Sequence, residues 1–214
     1  MRIAIAGGHG KIALLLTRRL EASGEEVVSL IRNPDHAADV EAAGGEPLVL
    51  DLEQTGVDEL TAALAGVEAI VFAAGAGPGS GNERKETVDF GAAAKLVEAG
   101  VRLGVARFVI VSSMGADAEH QGEETFDVYR RAKGRADEAV IESGLDYVVV
   151  RPGMLTDDQG SGRVRLGPAV PRGEIPRDDV AEVLFQSLRR AAPSNLVFEV
   201  VAGDTPIPEA VDSA

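Results

Sequence analysis

The stretch Ala4–Leu16, AIAGGHGKIALLL, passes from one apolar segment through three closely set glycines into a second apolar segment. A strand-to-helix turn can need glycine for its backbone angles alone. The same residues also read as G-x-x-G-x-x-A at Gly7, Gly10 and Ala13. In that reading the first glycine permits the turn, the second lets the backbone approach a pyrophosphate, and the small third residue lets helix pack on strand. Free amides at the helix start would then face the anion. The surrounding sequence has to decide between the two.

Outward from this loop, short apolar runs alternate with longer amphipathic ones. RIAIA, EVVSLI, PLVL, EAIVFAA, RFVIVSS, DYVVVR and NLVFEV read as strands, and their unbroken apolar character implies burial on both faces. Between them Ile12, Leu15, Leu16 and Leu20, and again Ala93, Leu96 and Val97, follow helical spacing. The pattern is α/β, a Rossmann-type doubly wound parallel sheet of about seven strands with helices on both faces, forming a single domain over residues 1–214. Gly24, Gly44, Gly66, Gly100 and Gly144 follow helical segments and are expected to end them. Two glycine- and proline-rich segments, Gly75–Glu86 and Gly153–Pro176, break the alternation. With a loop at Met114–Phe126, they are expected to wall a crevice at the carboxyl ends of the strands. The substrate-side loops are therefore placed at about 114–126 and 153–177.

At 214 residues and 45% hydrophobic, the chain can bury one substantial core. The formal net charge of −14 argues against nucleic acid or an anionic membrane as partner. Any bound anion must be held locally. Cysteine is absent, which excludes disulfides, thiolate metal sites and a cysteine nucleophile. No secretory leader or long apolar span is evident, so a cytoplasmic location is expected. His9, His36 and His120 are scattered along the sequence and no metal site is expected.

Two positions bear on which dinucleotide the loop would hold. An acidic residue at the end of the second strand would accept hydrogen bonds from a free ribose 2′-hydroxyl, but Arg32 stands there instead. A guanidinium suits a 2′-phosphate and so favours NADP(H) over NAD(H); a solvated arginine at a strand end is the plainer reading. Asp51 closes the third strand and is placed either to contact an adenine edge or to start a turn. Tyr129 and Lys133 lie four residues apart on one face of an expected helix, which follows the strand ending in Ser112 and Ser113. An ammonium nearby favours a phenolate over a phenol, which suits the tyrosine to exchange a proton with a carbonyl or alcohol. A serine hydroxyl could orient the substrate oxygen beside it.

Taken together, GGHGKIA, RNP, LDL, AAGAG, VSSMGA, YRRAK and LDYVVVRPG resemble the short-chain dehydrogenase/reductase superfamily. Within it they are most similar to the atypical compact branch of NmrA-like and flavin- or biliverdin-reductase-like proteins. The resemblance implies that Gly7 and Gly10, with their neighbours His9, Lys11 and Ile12, hold the pyrophosphate. It implies Arg32 at the 2′-phosphate, Asp51 with Leu52 at the adenine, and Ala73, Ala74 and Gly75 at the nicotinamide ribose. Ser112, Pro152 and Gly153 would border the cofactor, Ser113 would polarise the substrate oxygen, Tyr129 would be the acid, and Lys133 would hold the ribose and tune Tyr129. The loop is shorter than the usual three-glycine form, and the superfamily's catalytic asparagine has no counterpart. The implied function is an NADP(H)-dependent reductase of a small carbonyl, quinone or flavin-like acceptor. A non-catalytic NADP(H)-binding redox sensor is the alternative, and a sugar-nucleotide epimerase or dehydratase ranks lower, because only about 60 residues follow RPG. The substrate is a small molecule without further identity, and the chain is a monomer or homodimer.

Overall fold

The computed structural model describes residues 1–77, 79–191 and 193–214. Along the chain run β1 (Arg2–Ala6), α1 (Lys11–Ala22), β2 (Glu26–Ile31), α2 (Ala37–Ala42), β3 (Glu46–Val49), α3 (Val57–Ala63) and β4 (Ala69–Phe72). There follow α4 (Asn82–Arg84), a π-helical stretch Lys85–Ala92, α5 (Ala93–Leu103), β5 (Arg107–Val111), α6 (Thr125–Ile141) and β6 (Tyr147–Pro152). The remainder forms β7 (Met154–Thr156), β8 (Arg163–Gly167), β9 (Glu174–Pro176), α7 (Arg177–Arg189), β10 (Leu196–Ala202), β11 (Thr205–Pro206) and α8 (Ile207–Asp212).

The main sheet has the order β11-β8-β10-β6-β5-β4-β1-β2-β3. Its seven parallel strands are those expected from the apolar runs, with β1 paired to β2 on one side and β4 on the other. Chain order reverses between β1 and β4, and an open α/β sheet binds ligands where that happens. The strand count needs correction from about seven to nine in this sheet. β8 pairs antiparallel with β10 and β11 antiparallel with β8, while β7 and β9 form a separate two-stranded parallel sheet. Hence much of Gly153–Pro176 is strand rather than loop. Arg163–Gly167, with its burial pattern of exposed residues flanking the buried Val164, has one solvated face, so it lacks the apolar run that marked the central strands.

Period-two alternation divides the core between the two faces. Ile3 and Ile5 pack with Leu16 and Leu20 of α1 and with Val180 and Leu184 of α7, whereas Ala4 and Ala6 face Leu60 of α3 and Leu96 of α5. Ala13 is fully buried against the sheet, which its small side chain allows. Gly24, Gly44, Gly66 and Gly144 have positive φ, as helix-ending residues. Gly100 does not. It lies inside α5, where an added Cβ would meet Ile70, Leu145 and Val105 at 3.3–3.4 Å, and Gly104 at φ +66° ends the helix instead. Gly100 is thus a close-packing site. No helix among the described residues is long and apolar enough to cross a membrane.

Candidate functional site

The glycine loop leaves β1 and enters α1 at the point where strand order reverses. Gly7 has φ +77°, and a Cβ there would stand 2.7 Å from Cα of Ala74. Gly8 is equally constrained, since its Cβ would meet Cβ of Ser29 at 2.5 Å. Gly10 is the N-cap of α1 and supplies no side-chain acceptor, so the first-turn amides of a twelve-residue helix keep no side-chain cap. These amides, and the space in front of Gly10, fit an anion such as a pyrophosphate.

Three cavities adjoin along the carboxyl ends of the strands. The first, of about 360 Å³, is lined by Gly7, His9, Gly10, Arg32, Asp51, Leu52, Glu53 and Arg84. The second, of about 530 Å³, is lined by Ile12, Lys85, Asp89, Ser112, Tyr129 and Lys133. Ala73, Ala74 and Gly75 form a wall common to both. The third, of about 520 Å³, holds Ser113, Pro152 and Gly153, and meets the second at Phe126. Thus the sequence-derived cofactor residues Gly7, His9, Gly10, Arg32, Asp51 and Leu52 come together in one place. Ile12, Ser112, Tyr129 and Lys133 come together in the next. Ser113, Pro152 and Gly153 lie one cavity further on. Ser112 and Ser113 separate because successive residues of an extended strand project to opposite sides. Lys11 faces away from all three and pairs with Asp157, whose carboxyl the Lys11 ammonium holds below its ordinary value.

In the first cavity, Glu53 gathers the polar groups. Its carboxylate accepts from Thr87 Oγ1 at 2.7 Å, Arg84 Nη2 at 3.0 Å and Arg32 Nη1 at 3.3 Å. The Thr87 hydroxyl, then the Arg84 guanidinium, hold it below its ordinary value, against the opposing effect of partial burial. Arg32 keeps 58% of its side chain exposed. Asp51 does start a turn, its carboxylate accepting from the Glu53 amide at 2.9 Å. His9 and His36, distant in sequence, stack with ring centroids 3.6 Å apart, and His9 Nε2 lies 2.8 Å from Asp39 Oδ2. No three metal-ligating side chains cluster among the described residues.

Beside the expected Lys133, the second cavity contains two charges that sequence reasoning missed, Asp89 and Lys85. Asp89, Lys85 and Lys133 are all buried. Lys133 Nζ donates to the Val111 carbonyl at 3.1 Å and stands 3.4 Å from Asp89 Oδ1. Lys85 Nζ donates to the Gly77 carbonyl at 3.0 Å and lies 5.3 Å from the centre of the Tyr129 ring. Asp89 and Lys85 come from the π-helical stretch, whose looser winding is often found at functional sites. Behind them Asp137 accepts from Ser112 Oγ and Arg151 Nε, both at 2.9 Å. Burial pushes the Asp137 carboxyl up, and the Ser112 hydroxyl and Arg151 only partly oppose it. Asp89 left a signal in the sequence: with Lys85 it falls on the stripe of Ala92, Ala93 and Leu96, the buried side of the helix, where a carboxylate is out of place.

A family model described as NAD(P)H-binding matches residues 7–191. A Bacillus subtilis (strain 168) protein named YhfK, an uncharacterized sugar epimerase, is 35% identical over 212 residues, covering 99% of each chain. A solved structure from Bacillus halodurans, provisionally named an NAD-dependent epimerase/dehydratase, is 33% identical with a TM-score of 0.92 and covers 100% of both chains. The anaerobillin reductase ChuY from Escherichia coli O157:H7 shares the fold, with a TM-score of 0.78 at 20% identity over 95% of this chain and 98% of its own.

Proposed function

The chain belongs to the NAD(P)H-binding family, and on that premise we propose that it is an NADP(H)-dependent oxidoreductase of a small carbonyl, quinone or flavin-like acceptor, with Tyr129 as proton donor. One observation carries this reading. The backbone of Ala73–Gly75 walls both the cavity beside the glycine loop and the cavity of Tyr129, so a single extended dinucleotide can serve the two. When bound, NADPH supplies the hydride. Gly7, Gly10 and the first-turn amides of α1 would hold its pyrophosphate, and Arg32, with Arg84 close by, its 2′-phosphate. Tyr129 gives its phenolic proton to the acceptor oxygen as negative charge gathers there. Lys85 and Lys133 outweigh Asp89 by one positive charge, and that excess attracts the same developing charge. The cytoplasm is the proposed location.

A second reading, an NADP(H)-binding protein that reports redox state without turnover, draws support from the way two side chains are already engaged. The Ser112 hydroxyl is engaged by Asp137, and the Lys133 ammonium by Asp89 and Val111. The epimerase name of the Bacillus subtilis relative supports a third, in which hydride is taken and returned with no net cofactor consumption. The test is NADPH oxidation with a panel of carbonyls and quinones, wild type against Tyr129→Phe. Turnover reduced by about 10²–10⁴ in the variant supports the proposal. Undiminished turnover removes Tyr129 from the mechanism, and tight NADPH binding without any turnover favours the sensor.

A further inference from the structure

The third cavity differs in character from the two cofactor-sized ones. Its wall is built by the small sheet, in which Met154 of β7 pairs in register with Glu174 of β9. That sheet packs closely because Gly153 and Gly173 have no side chains: a Cβ on Gly153 would lie 2.2 Å from the Gly173 carbonyl. Two of the few large apolar side chains exposed anywhere among the described residues, Phe126 at 61% and Met154 at 62%, both line this one cavity. Arg130 and Arg172 line the same cavity. Arg130 is fixed from behind, its Nε donating to the Gly115 carbonyl at 2.7 Å and its Nη1 3.4 Å from His120 Nε2. Neither arginine has a carboxylate within 4 Å among the described residues, although acidic residues outnumber basic ones 35 to 21 in the chain. Glu174, also on the wall, bonds to neither.

Apolar side chains gathered in one exposed cavity mark a binding site, and two guanidiniums with no carboxylate in direct contact suit a planar anion. Asp127 acts on Arg130 only at longer range. We infer that this cavity is the substrate pocket and that it takes an aromatic or otherwise flat apolar molecule bearing a carboxylate. The apolar body lies against Phe126 and Met154, the carboxylate faces Arg130 and Arg172, and the reducible group reaches the Tyr129 cavity past Phe126, which the two cavities share. The inference rests on reading the Tyr129 cavity as the place of hydride transfer. It also explains how a chain of net charge −14 admits an anionic substrate: the two guanidiniums supply positive charge locally in the pocket.

Calorimetric binding of 2-naphthoate against its neutral isostere 2-naphthamide, without cofactor, tests it independently of turnover. The expected result is a preference for the acid of about tenfold or more, the value of one charge-assisted hydrogen bond. Arg172→Gln, at an exposed side chain with no hydrogen bond among the described residues, should reduce that preference by most of its size with an unchanged melting temperature. Arg130→Gln should do the same, and Arg172 keeps the test decisive if Arg130→Gln unfolds. Equal affinity for acid and amide, or a preference untouched by Arg172→Gln, overturns the inference. If the acid is preferred in this way while no acceptor is reduced by NADPH, the pocket stands and the oxidoreductase reading falls.

Discussion

Lys133 Nζ stands 3.4 Å from Asp89 Oδ1, and both side chains are almost wholly withdrawn from solvent. A buried pair contributes little against an apolar pair of the same shape, but breaking it leaves a naked charge. Asp89→Ala should therefore cost about 3–5 kcal/mol in urea unfolding, while Asp89→Leu combined with Lys133→Met should recover most of that loss. A double variant as unstable as the single one would mean that the pair's neighbours, rather than its charges, set the cost.

Gly7 and Gly24 have nearly the same φ, +77° and +78°, but different surroundings. Nothing lies within 4 Å of a Cβ added at Gly24, so Gly24→Ala should cost only the left-handed backbone, about 1–2 kcal/mol, and leave NADPH binding intact. At Gly7 the added methyl meets Ala74 as well. Gly7→Ala should lose more stability and also NADPH binding, measured by thermal melting with and without the cofactor. Equal behaviour of the two variants would reduce the loop to an ordinary turn.

How far the sequence leads is visible in particular residues. The seven parallel strands were legible because each is a short, mainly apolar run; the central ones are buried on both faces, while β3 at the sheet edge is not. β8 was not legible, since its alternating arginines look like loop beside so many glycines. The glycine loop, Arg32, Asp51 and Ala73–Gly75 were legible as a set because each follows a strand end. Asp89 was not singled out, one carboxylate among 35 acidic residues, and its partner Lys133 lies 44 positions away. The separation of Ser112 from Ser113 depends on the direction of one side chain relative to the sheet, which VSS does not specify. The pocket of Arg130 and Arg172 joins α6 to the turn before β9, a meeting only the fold arranges.

Arg32 keeps a guanidinium free enough to meet a phosphate while touching Glu53 at 3.3 Å. Arg32→Ala should weaken NADPH binding by about ten- to a hundredfold, as loss of a hydrogen bond between charged partners does, and leave NADH binding nearly unchanged. Titration calorimetry with both cofactors checks this. Equal losses for NADPH and NADH would place the 2′-phosphate elsewhere.

Glu53 sets an acid dependence of stability. Its carboxyl is held below the ordinary 4.5 in the folded chain, so the folded state binds fewer protons than the unfolded one in that range. The stabilisation is fully present above pH 4.5 and is lost as pH falls through the lower folded value. Glu53→Gln removes the group, so its stability should fall less steeply than that of wild type below pH 4.5, in denaturant titrations at stepped pH. Parallel acid limbs would show that Thr87 and Arg84 do not stabilise the charged carboxylate.

The central claim is that hydride passes from NADPH to an acceptor in the cavity of Tyr129. Incubation with NADPH deuterated at the transferring position of the nicotinamide, followed by mass analysis of the reduced acceptor, tests this directly. The account predicts a carbon-bound deuterium in the product of a carbonyl acceptor, formed far more slowly by Tyr129→Phe. An alcohol formed from a carbonyl acceptor without deuterium on carbon, or no product from any carbonyl or quinone although NADPH binds, would contradict it.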